Sequence, residues 1–108
     1  MDLVNITKEL YEGSKRLERS SEQIFLLAKE VAETERTYRV ALAKEKMKLR
    51  EQGMPVGLIE DVARGNIADK RFERDLANLK YVAGRDSMKA IIAQQNALQS
   101  ILRIQSNI

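Results

Sequence analysis

Apolar residues recur every seven positions from the start of the chain: Leu3, Leu10, Leu17, Ile24, Val31 and Tyr38 stand in one register. A heptad sustained this far predicts a coiled-coil-like seam rather than a generic amphipathic helix. The companion register is weaker, running Ile6, Gly13, Ser20, Leu27, Thr34, Ala41. Beyond Tyr38 the register meets Glu45 and the apolar stripe slides to Leu42 and Leu49, the drift of a straight helix against a strict heptad. The pattern predicts a first helix over about residues 3–52. Gly13-Ser14 is weak helix material, and Ser20-Ser21-Glu22-Gln23 matches a capping box that would start a new helix. Because the heptad passes through both sites, one continuous helix is expected, with a break near residues 13–21 as the alternative.

The end of that helix is written in backbone chemistry. Lys46, Lys48 and Arg50 suit the negative end of the helix dipole, Gly53 fits a left-handed closing position, and Pro55 follows. The connector, residues 53–65, reads GMPVGLIEDVARG and is too apolar for a plain turn. It predicts a short helix: Pro55 suits the first turn, Val56, Ile59 and Val62 lie near one face, and Gly65 closes it. That apolar face is expected to fold back and cap the tip of a hairpin. Asn66 is placed to cap the next helix, with Asp69 in its first turn, over about residues 66–106. Its expected buried stripe is Phe72, Leu76, Leu79, Ala83, Ala90, Ala93, Ala97, Leu98, Ile101 and Ile104. Asp86 falls on that stripe and would need an Arg or Lys from the facing helix.

Two helices of similar length with a short connector make the predicted class all-α: a single domain, residues 1–108, built as a long antiparallel hairpin. A chain of 108 residues buries only about two thirds of its unfolded surface, and an elongated one buries less. From Met88 onward, Met88, Ile91, Ile92, Leu98, Ile101, Leu102, Ile104 and Ile108 spread over more of the helix than one partner covers. They are the expected oligomer interface, most simply of a dimer forming a four-helix bundle. The run from Ser87 to Ile108 carries only Lys89 and Arg103 as charges, and its Gln and Asn residues suit a polar rim.

Composition narrows the chemistry. Hydrophobic residues at 44% and charged ones at 32% place the chain outside the disordered class. Neither cysteine nor histidine is present, which excludes disulfides and thiol nucleophiles and removes the commonest catalytic base. Glu30 and Glu33 resemble half of a carboxylate-bridged metal site, but such bundles need Glu-x-x-His. No catalytic residue, metal or cofactor is therefore expected, and an enzyme is not. MDLVNITKEL carries an acid where a signal peptide needs cations, and no stretch reaches membrane-spanning length, so the expected location is the cytoplasm without membrane association.

One charged feature stands out. RTYRVALAKEKMKLR, from Arg36 to Arg50, holds six basic residues against Glu45. Arg36, Arg39, Lys46 and Arg50 share a helical face that would track phosphates, set against the plainer reading of a solvated outer face in a chain of net charge +3. Arg71, Arg74 and Asp75 are placed either to keep the surface soluble or to hold the connector loop by charge-assisted bonds.

Within LREQGMPVGLIEDVARGNIADKRFERDLA, the features Leu49-Arg50 before Gly53 and Pro55, then Asp61-x-Ala63-Arg64-Gly65 and Arg71-x-x-Arg74-Asp75-x-Ala77, carry a resemblance. The segment resembles small helical early-region proteins of temperate phages and prophages of Gram-positive bacteria, for which no common activity is implied. The resemblance implies a phage-type protein in a bacterial host cytoplasm. The favoured expectation is a non-enzymatic, oligomeric interaction protein that binds a host or phage protein. The alternative is a nucleic-acid-binding accessory factor in phage replication or recombination.

Overall fold

The computed structural model describes residues 2–107. The chain is a helical hairpin of α1 (Leu3–Glu51), α2 (Val56–Asn66) and α3 (Ala68–Ser106), with α2 in the connector. Asp2 starts α1 by accepting the Asn5 backbone N–H at 2.8 Å, occupying one of the donors a helix leaves open at its N-terminus. α1 then runs unbroken through Gly13-Ser14 and Ser20-Ser21. It closes in a Schellman motif. Gly53, at φ 81°, donates to the Arg50 carbonyl, and the Met54 N–H reaches the Leu49 carbonyl at 3.1 Å. Met54 also packs on Leu49, the apolar contact that accompanies this motif.

The connector departs from its sequence reading at its far end. Gly65 is ordinary helix with open space around it, and Asn66 is the last residue of α2 rather than the cap of α3. One residue, Ile67, makes the corner. Its N–H closes α2 on the Ala63 carbonyl, and its carbonyl receives the Lys70 N–H at 3.0 Å to open α3. The Asn66 amide is used elsewhere, donating to Glu45 Oε1 at 2.9 Å.

The hairpin divides into two compact units: α1 up to Leu26 with α3 from Val82, and Leu27–Tyr81. In the first, Ile6, Leu10, Gly13, Leu17, Ser20 and Ile24 of α1 are buried or half-buried along the two heptad registers, whereas Leu3, which opens the expected seam, is exposed. Facing them are Gly84, Met88, Ile91, Gln95, Leu98 and Leu102 of α3. In the second, α1 contributes Leu27, Val31, Thr34, Tyr38 and Ala41, and α3 contributes Arg74, Ala77 and Tyr81. Burial then slides to Leu42 and Leu49, where α2 packs: Ile59 and Ala63 form a core with Leu49, joined by Leu42, Met54 and Val62.

The buried face of α3 is therefore not the expected one. The seam runs along Arg74, Tyr81, Met88, Gln95 and Leu102, with Ala77, Gly84, Ile91 and Leu98 as its companions. Phe72 and Leu79, at 66% and 68% exposure, point away from it with Leu76, Ile101 and Ile104. Ala83, Ala90, Ala93 and Ala97 are exposed as well; Leu98 alone of the expected stripe is buried. The seam tolerates polar and small residues at Arg74, Gly84 and Gln95, so counting apolar side chains selects the opposite face. Asp86 accordingly stands in solvent, 3.8 Å from its neighbour Arg85, and needs no cation from α1.

Candidate interaction surfaces

Three surfaces have the residue types for recognition. The first is the cationic end of α1. Glu35 takes Arg39 at 2.7 Å, and Glu60 of α2 takes Lys46 at 3.8 Å, so half of the expected phosphate-tracking set is engaged in ion pairs. Arg36 and Arg50 form no ion pair among the described residues, and the same holds for Lys44 and Lys48. Lys44 and Lys48 lie off the helical stripe shared by Arg36, Arg39, Lys46 and Arg50, and which of these cations stay unpaired depends on the acids that the fold brings near. A shallow groove of about 320 Å³ lies here, lined by Arg36, Thr37, Val40, Ala41 and Lys44.

Beside it, Arg74 organises the seam. Its guanidinium lies 4.3 Å from the centre of the Tyr38 ring, bonds Asp75 Oδ1 at 3.0 Å and sits 3.7 Å from Glu35. The hydrogen bond to Asp75 raises its pKa above the ordinary arginine value, with the Asp75 and Glu35 charges adding to the effect against partial desolvation. A half-buried cation is tolerable here because ring face and carboxylates together replace its water. Arg71 approaches Asp75 at 3.9 Å, so this trio binds within itself and to α1, not to the connector loop.

The second surface is the outward side of α3. Of the expected oligomer interface, Leu98 is buried and Met88, Ile91 and Leu102 are half-buried in the intramolecular seam. Ile101 and Ile104 face outward, Ile92 is exposed at the margin of the seam, on the other side of the helix from Ile101, and Ile108 lies outside the described residues. Two of the polar residues expected at the rim are also taken up by the hairpin. Gln95 is buried, with Nε2 donating to the Leu10 carbonyl at 2.9 Å and 3.4 Å from Ser14 Oγ, and Gln94 accepts from Arg16. In the other unit the outward residues are Phe72, Leu76 and Leu79.

The third is α2. Ile59 and Val62 face α1, but Val56 is 84% exposed and Leu58 is exposed beside it. Ala63, fully buried, takes the place expected for Val56, because the face that meets Leu49 lies a turn further along the helix. Pro55 caps α2 from outside its first turn, with its carbonyl accepting the Leu58 N–H.

A further groove of about 500 Å³ in the first unit is lined by Glu9, Glu12, Lys15, Arg16, Arg19 and Gln94, with its charges mixed. Among the described residues there is no group of three or more acidic side chains arranged for a metal ion, and no helix is long and apolar enough to cross a membrane. The geometry thus describes an all-helical hairpin with exposed apolar and cationic helix faces. No protein-family model, curated protein or solved structure matches the chain.

Proposed function

We propose that the chain is a non-enzymatic interaction protein that works as a homodimer, packing outward α3 faces into a four-helix bundle. The observation that carries this reading is the second apolar face of α3: Phe72, Leu76 and Leu79 in one unit, Ile101 and Ile104 in the other, all exposed. Exposed alanines at Ala83, Ala90, Ala93 and Ala97 allow a neighbouring backbone to approach closely. Surface area supports the same reading. The chain presents 7938 Å² to solvent, whereas a compact protein of its 12.3 kDa mass presents about 6,100 Å². That excess exceeds the roughly 800 Å² per partner of a standard interface.

The resemblance of residues 49–77 to phage early-region proteins supports a phage-type protein acting in a bacterial cytoplasm on a host or phage protein. Neighbouring genes of phage replication or lysogeny would agree with this origin, and a chromosomal housekeeping neighbourhood would oppose it. For the dimer, Leu79→Asp with Ile104→Asp is the test. Both side chains are exposed in the single chain, so these changes should leave its helix content intact while shifting sedimentation toward monomer. Unchanged association would remove α3 from the interface.

A further inference from the structure

We infer that the C-terminal part of α1 is a docking face for an acidic amphipathic helix of a partner protein. The inference rests on the reading of the chain as an interaction protein and adds the partner's chemistry. Charge complementarity carries it. Around this face most carboxylates are already engaged: Glu33 with Lys29, Glu35 with Arg39 and Arg74, Glu45 with Asn66, Glu60 with Lys46 and Arg64. The unmatched cations are Arg36, Lys44, Lys48 and Arg50, with Glu51 closing the face at the helix end.

Between those cations stand Val40 and Met47, both exposed and seven residues apart. On a helix that spacing is about 10 Å, the repeat at which a second helix presents successive apolar side chains. The groove beside Val40, floored by Ala41 and flanked by Arg36 and Lys44, is a receptacle for one such side chain. A partner helix carrying Leu or Ile at heptad spacing, with Asp or Glu beside them, would satisfy apolar and charged positions together. A phosphate backbone would meet the cations but leave Val40 and Met47 uncovered. The one aromatic ring in the Arg36–Arg50 segment, Tyr38, is buried under Arg74 and offers no surface for base stacking.

The test is fluorescence anisotropy with a labelled helical peptide of about three heptads, leucine at its seam and glutamate beside it. Its comparators are the same peptide with glutamine for glutamate, and single- and double-stranded DNA oligonucleotides. The glutamate peptide should bind at least about tenfold more tightly than the glutamine peptide at low salt, and the difference should shrink as salt rises. Arg36→Glu/Lys44→Glu/Lys48→Glu should lose that binding, and so should Val40→Ser/Met47→Ser. Circular dichroism identifies any variant that has lost its fold; the serine pair, which alters no charge, decides if the triple variant does. Equal binding of the two peptides, or peptide binding indifferent to the serine pair, would overturn the inference. Tighter binding of DNA than of peptide would overturn it in favour of a nucleic-acid surface. Sedimentation of the same samples reports the dimer independently, so failure of the unaltered chain to bind the glutamate peptide while it remains dimeric rejects this face alone.

Discussion

Gly13 and Gln95 show how few side chains set the register of so thin a core. Gln95 reaches across from α3 to bond the Leu10 carbonyl, and it fits only because residue 13 has no Cβ: one built there would overlap Oε1 and Cδ of Gln95. The buried Oε1 has no hydrogen-bond donor and rests against Gly13, so its cost is borne by the rest of the layer. Gly→Ala normally favours a helix by about 1 kcal/mol. At Gly13 the sign should reverse, because the displaced amide loses its bond: Gly13→Ala should destabilise by about 1 to 2 kcal/mol in chemical denaturation. Gly65, also helical but with nothing near it, is the internal control, and Gly65→Ala should stabilise by about 0.5 to 1 kcal/mol. The same residues explain what could be read in advance. The α1 seam was legible because Leu10, Leu17, Ile24 and Val31 are apolar in strict register. The α3 seam was not, since Arg74 and Gln95 belong to it for reasons that reside on α1: the Tyr38 ring, the Leu10 carbonyl and the missing Cβ of Gly13.

Among the elements, α2 is the one whose packing can be tested most cleanly, because its two sides differ sharply. Ile59, Val62 and Ala63 pack on Leu42, Leu49 and Met54, whereas Val56 meets solvent. Val62→Asp should therefore destabilise by about 2 kcal/mol or more, since it places an unpaired carboxylate against that cluster. Val56→Asp should change stability by less than about 0.5 kcal/mol, and thermal melting of the two variants side by side checks the assignment. A connector that was only a tether would melt alike with either change. The existence of α2 was legible from Pro55 and the apolar spacing, and the end of α1 from Gly53. Its junction with α3 was not. Asn66 has the chemistry of a cap, but Glu45 claims its amide and Ile67 makes the corner. Capping rules describe local preference, which a partner distant in sequence overrides.

For the whole molecule, the decisive fact is that α3 carries apolar residues on two faces and the hairpin covers one. The candidate surfaces follow from that split. Met88, Ile91, Leu98 and Leu102 were expected at an oligomer interface, yet they build the hairpin, leaving Ile101 and Ile104 to face outward and Ile92 exposed at the margin of the seam. Sequence alone showed an excess of apolar helix surface; sorting it into inner and outer sets required the pairing of the helices. The ion pair of Lys80 with Glu30, which links α3 to α1 at 3.5 Å, is largely exposed and contributes at most about 1 kcal/mol. Added salt should accordingly weaken acidic-peptide binding far more than it lowers the melting temperature. The central claim is that the outer face of α3 joins two copies, and sedimentation equilibrium of the unmodified chain at micromolar concentration tests it most directly. The account predicts a mass twice the 12.3 kDa of the chain; a mass equal to that of the single chain across the concentration range would contradict it.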